Sequence, residues 1–196
     1  PKAIKSQLQQ QNTLMTMYIS RVSALRDIYA DNKINRGMKR LKNLAEAFEA
    51  ARLSSSSYNN QPWRFVVALR GEAGFETLLD TAVEANRRWM KDAGAIVGIV
   101  ANTVLEKTGE KDHAALLGVG MAVGAMELAF VENGLVSMQA GGFDREAFAN
   151  AVELPDHMIA VSLLAVGRLP EGQSSPETKD RKPIQEIAFK VGDAMR

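Results

Sequence analysis

Ser54-Ser55-Ser56-Ser57-Tyr58-Asn59-Asn60-Gln61-Pro62-Trp63 is a polar run between two apolar elements. Before it, Met38, Leu41, Leu44, Ala45 and Phe48 recur at helical spacing, with Lys39, Lys42 and Glu46 on the other face. That pattern predicts an amphipathic helix ending near Leu53. After the run, Phe65 to Leu69 reads as a short strand. Four serines, two neighbouring amides, a glutamine and a Pro-Trp pair make the loop dense in hydrogen-bonding groups. Serine and asparagine also serve as helix-exit and turn residues, and Pro62 as a strand-start proline.

Upstream, Leu14, Met17, Ile19, Val22, Leu25 and Ile28 predict a first helix, after a polar, Gln-rich arm at 1–12. Downstream, Phe75, Leu78, Leu79, Ala82 and Val83 predict one helix closed by Asn86-Arg87-Arg88-Trp89. Gly94 to Ala101, GAIVGIVA, reads as a strand covered on both faces. Ala114 to Val131 is the most apolar segment and approaches the length of a membrane span. Glu127, three glycines and its alanine content instead suit a long buried helix at the centre of the fold. Asn133-Gly134 ends it, since glycine takes a left-handed terminal conformation without a side-chain clash.

Leu135 to Met138 predicts a strand and Met158 to Val166 another. Between them Asp144 is placed to cap a helix running through Val152. The residues 173–182 form a polar stretch, and Pro183, Ile184, Ile187 and Phe189 supply an apolar anchor beyond it. Helices interleaved with about four strands give an α+β class and one domain over 1–196.

Composition narrows the function. A net charge of +1 gives no footprint for nucleic acid or an anionic membrane. Without cysteine, disulfides, thiol redox chemistry and Cys-ligated zinc are excluded. His113 and His157 are too far apart for a local metal pair, and no metal site is expected. The polar N-terminal stretch carries no secretory pattern, so a cytoplasmic protein is expected. P-loop, GxGxxG, HExxH and GxSxG motifs are all missing, and no catalytic side-chain constellation emerges from spacing.

Four separated stretches share one resemblance. Ser56, Ser57, Asn59, Gln61, Pro62 and Trp63 match the P-S-S-x-N-x-Q-P-W signature of the FMN-dependent nitroreductase family, with Ser55 where proline is usual. Asn86, Trp89, Lys91 and Ala93 match a second pattern ahead of the central strand. Ser137 to Asp144, SMQAGGFD, resembles the family's HQMGGFD turn, with Met138 and Ala140 departing from it. Lys179-Asp180-Arg181-Lys182-Pro183 resembles its C-terminal K-x-R-x-P. The family's opening R-R-S-x-R run is not reproduced: Arg26 stands at a suitable distance, with no Arg-x-Ser after it.

The resemblance implies a mixed sheet flanked by helices, and a homodimer with FMN at the interface. It implies ping-pong transfer of hydride from NADH or NADPH, through FMN, to nitroaromatics, quinones or related acceptors. Lys179, Arg181 and Arg26 are the implied phosphate contacts. Ser56, Ser57, Asn59 and Gln61 would reach the flavin from the partner chain. Asn86 would bond the polar edge of the ring, and Gly141 and Gly142 would offer N–H groups at its reactive nitrogen. The residues 173–196 would pack on the partner. Two alternatives stay open, the second motivated by the divergent N-terminal motif. One is a relative with other flavin chemistry (dehydrogenation, dehalogenation or flavin destruction). The other is a flavin-free, non-catalytic dimer.

Overall fold

In the computed structural model, residues 36–169, 172 and 180–192 are described. The expected polar arm at 1–12, the first helix, Arg26 and Lys179 lie outside them.

Helix α1 (Arg36–Arg52) leads into the Ser-rich loop. Its last turn holds an ion pair, with Arg52 Nη2 2.6 Å from Glu49 Oε1. A cation there also suits the negative end of the helix dipole. Strand β1 (Trp63–Leu69) follows, then helices α2 (Ala73–Thr81) and α3 (Glu84–Met90) and strand β2 (Ala95–Asn102). Next come α4 (Ala115–Glu132), β3 (Val136–Ala140), α5 (Arg145–Ala151) and β4 (Met158–Gly167).

The sheet order is β1-β2-β4-β3. All three pairings are antiparallel, so among the described strands the sheet is not the mixed one expected. A parallel neighbour needs a crossover that returns the chain to the same end of the sheet. Here α2 and α3 reverse the chain between β1 and β2 instead. The α+β class itself is borne out.

Strand β2 is buried along its whole length, as its uninterrupted apolar run predicts. Successive side chains of a strand point to opposite faces. Val97, Ile99 and Ala101 therefore enter a core shared with α1 and α4, which includes Leu44, Ala47, Val119, Met126 and Phe130. Ile96 and Val100 enter a second core, shared with Phe75, Leu78, Met90 and Phe148. The molecule is thus layered: α1 and α4 on one face of the sheet, α2, α3 and α5 on the other.

One helix was expected over 75–89, and two are present. Ala82 and Val83 are extended (ψ 142° and 152°) and break it. The cause is tertiary pairing. Ala82 bridges Phe143, Asp144 N–H donates to Thr81 O at 2.7 Å, and Val83 N–H donates to Gly142 O at 3.1 Å. These bonds hold the 141–144 turn against the start of α3.

Helix α4 begins and ends within a residue of expectation, and Gly134 takes the left-handed conformation (φ 65°) that closes it. By length and composition it could cross a membrane. Val119, Val123, Met126 and Phe130 nevertheless lie in the core, so the helix is buried on one face. Its other face exposes Leu117, Met121, Leu128 and Val131. The Asp144 carboxylate caps α5 by accepting from Ala147 N–H at 2.9 Å. Among the described residues the C-terminal apolar anchor finds no core, because Ile184, Ile187 and Phe189 are all exposed.

Candidate cofactor site

The turn Gly141-Gly142 joins β3 to α5, and Asn86 on α3 holds it. The Asn86 side-chain amide donates to Gly142 O at 2.9 Å. Its carbonyl oxygen accepts from the Trp89 indole N–H at 3.3 Å. Gly142 O therefore receives two donors, Asn86 Nδ2 and Val83 N–H. A Cβ on Gly142 would stand 2.9 Å from Asn86 Nδ2 and 3.0 Å from Val83 Cγ2, so the close approach requires glycine. Gly141 is the opposite case, exposed and with nothing within 4 Å of where a Cβ would be. Among the described residues, neither the Gly141 nor the Gly142 N–H has a backbone acceptor. The turn thus offers two unspent amide donors on a fixed backbone with open space before it.

Trp89 connects this turn to a groove of about 700 Å³ that runs along β3 and the C-terminal half of α4. Its walls include Trp89, Leu128, Val131 and Met138, with Glu127 and Arg168 as the charged groups that matter most. Burial raises the Glu127 carboxyl above its ordinary value, and a hydrogen bond with Gln139 partly offsets the rise. Gln139 Oε1 in turn accepts from the buried Ser162 hydroxyl at 3.1 Å. An apolar groove with a few convergent polar groups is the usual form of a small-molecule site.

The Ser-rich loop packs on the other half of α4. A Cβ on Gly118 would meet Pro62 Cγ at 3.2 Å and Ser56 Cβ at 3.5 Å. Gly118 and Gly124, which lines the groove, are six residues apart, about 9 Å along the helix axis. The loop therefore lies against the N-terminal half of α4, and among the described residues no hydrogen bond joins Ser56, Ser57, Asn59 or Gln61 to Asn86 or Gly142.

The loop is strained. Tyr58, Asn59 and Gln61 all have positive φ (51°, 55° and 49°), and such residues cost of order 1–3 kcal/mol each unless the surroundings hold them. The loop is held from inside and from outside. Ser56 Oγ accepts from Gln61 N–H at 2.9 Å. Asn60 Nδ2 donates to Val104 O and to Asp112 Oδ2, and Asn60 Oδ1 accepts from Glu106 N–H at 3.0 Å. Asn60 is the structural amide of the pair, and Asn59 is left exposed. Spacing alone gave no way to see this division.

Arg181 lies in the exposed C-terminal segment, its guanidinium 3.5 Å from Asp180 O. Sequence patterns also missed Glu127, whose helical position reads as core. Among the described residues, no group of three or more His, Cys, Asp or Glu side chains could hold a metal.

The residues 77–168 match the model of the Nitroreductase family. No curated protein sequence matches the chain. Among solved structures, an oxidoreductase containing FMN superposes with a TM-score of 0.70 at 20% identity, covering 81% of this chain and 83% of the other. A nitroreductase family protein from Streptococcus pneumoniae TIGR4 gives 0.64 at 21% identity, covering 82% and 92%. Another from Clostridium difficile 630 gives 0.62 at 22% identity, covering 81% and 88%. At these identities the superpositions establish the fold. Residues 77–168 thus carry a sequence likeness to the Nitroreductase family, and about four-fifths of the chain shares the fold of these solved structures.

Proposed function

We propose that the chain is an FMN-dependent oxidoreductase. It would take hydride from NADH or NADPH and pass it, in a ping-pong cycle, to a nitroaromatic, quinone or related acceptor. The observation that carries this reading is the turn itself: Gly142 pinned by two donors, Gly141 open, and two free amides tied through Asn86 and Trp89 to an apolar groove. A flat ring can reach a backbone N–H only where no side chain stands between them, and Gly141 meets that condition. The residues present fit a flavin there.

When bound, FMN supplies the hydride chemistry. The chain's own part is to orient and to hold charge. Amide donors fixed before reaction stabilise negative charge without having to reorganise, as in an oxyanion hole. That explains why no acid–base constellation is needed. Arg181, with Lys179, would pair with the phosphate, for which a guanidinium offers two parallel N–H donors. Arg26 is the further candidate.

The working unit would be a homodimer. Exposed Leu117, Met121, Leu128 and Val131 form an apolar stripe on α4, and Ile184, Ile187 and Phe189 lie bare on the C-terminal segment. A second copy would cover both. It would also bring its own Ser56, Ser57, Asn59 and Gln61 to the ring. The test is spectroscopic. Anaerobic NADH or NADPH should bleach the flavin absorbance of the FMN-loaded protein, and a quinone or nitroaromatic should restore it. Failure with both nicotinamides, in a protein that holds FMN, would transfer the site to other flavin chemistry.

A further inference from the structure

The side chain of Asn86 is already occupied in the chain by itself. One end donates to Gly142 O and the other accepts from Trp89 Nε1. From this geometry we propose that Asn86 is a positioning residue. It clamps the Gly141-Gly142 turn so that the turn's free amides meet the flavin ring, and Trp89 sets the orientation of the clamp. The inference rests on the flavin reading and goes beyond a contact between Asn86 and the ring edge.

Three observations converge on it. Gly142 O takes a second donor from Val83 N–H, the residue that separates α2 from α3, so the turn is fixed from two sides. A Cβ on Gly142 would stand 2.9 Å from Asn86 Nδ2 and 3.0 Å from Val83 Cγ2, so the turn packs closely against the start of α3. Beyond it Gly141 faces open space, with no packing of its own to fix its amide. The clamp at Gly142 is thus the nearest restraint on the direction of the neighbouring donors. Trp89 joins both parts, since its indole N–H holds the Asn86 carbonyl and its ring lines the groove.

An amide aimed at the ring matters more to the electron-rich reduced flavin than to the oxidised one. The readout is therefore the ratio of dissociation constants for reduced and oxidised FMN. Asn86→Asp keeps the shape and the acceptor for Trp89 but loses the donor to Gly142. It should weaken reduced FMN about tenfold more than oxidised FMN. For a two-electron couple that is a potential about 30 mV lower. Trp89→Phe removes the indole N–H together with part of the ring and should shift the ratio the same way by about threefold, half the tenfold step on a logarithmic scale. Riboflavin should show the same shifts, because the effect is at the ring.

The proposal is overturned if Asn86→Asp weakens both redox states equally while Trp89→Phe binds as wild type does. Asn86 would then be a direct ring contact. If wild type binds neither FMN nor riboflavin, the flavin reading itself fails, and this proposal with it.

Discussion

The Phe148 ring lies so close over Gly98 that a Cβ on Gly98 would stand 2.5 Å from its Cε2 and Cζ atoms. Phe148 is fully buried and stacks edge-on against Phe143, so its ring has nowhere to move. A strand glycine of this kind marks close approach, not flexibility. Gly98→Ala should therefore destabilise by overpacking, by about 1–3 kcal/mol. Urea unfolding would show it as a lower midpoint with an unchanged slope. A midpoint equal to that of wild type would mean the ring can yield.

Asn60 and Asn59 should separate cleanly. Asn60→Ala removes the bonds to Val104 O, Asp112 Oδ2 and Glu106 N–H. It also leaves a buried carboxylate short of one donor. Stability should fall by roughly 1–3 kcal/mol. Asn59→Ala removes an exposed side chain and should leave the melting temperature near that of wild type while weakening FMN. Reversed effects would show the wrong asparagine has been assigned to the ligand.

Glu127 should give a pH dependence of definite sign. Burial raises its carboxyl above the ordinary 4.5, with Gln139 opposing the shift. A raised carboxyl contributes stability that is fully present below its unfolded value and is lost as pH rises through its folded value. Asp92 and Arg168 are the other charged groups lining the same groove. Glu127→Gln should flatten the stability profile above the ordinary glutamate range, and should be the more stable form at neutral pH. An unaltered profile from chemical unfolding across that range would show that Glu127 carries no such penalty.

Arg181→Ala tests the phosphate contact. A hydrogen bond to a charged group is worth roughly 1.5–3 kcal/mol. Its loss should weaken FMN about tenfold to a hundredfold. Riboflavin, which lacks the phosphate, should bind wild type and variant alike. Flavin fluorescence titration reads both. If Arg26→Ala proves the more damaging change, the N-terminal segment carries the phosphate contact instead.

Much of the architecture is legible in local patterns. The Asp144 cap, the left-handed Gly134 and the two-faced burial of β2 each follow from a few neighbouring residues. Within the site, Asn86 and Gly142 were singled out by separate motifs 56 residues apart, and the fold joins them by a hydrogen bond. What sequence could not show depends on tertiary partners. The break at Ala82-Val83 exists because the 141–144 turn pairs with it, against a helical apolar spacing that continues through it. Asn60 is structural because 104–112 folds back over it, and nothing in its immediate neighbours says so. Glu127 reads as a polar exception in an apolar helix until Gln139 of β3 is beside it.

The measurement that bears most directly on the central claim is a titration of the purified protein with FMN, read by flavin absorbance and fluorescence and paired with sedimentation equilibrium. A yellow dimer that saturates near one FMN per chain is the expected result. A colourless protein that takes up no FMN from excess would contradict it, and the fold would then serve a flavin-free role.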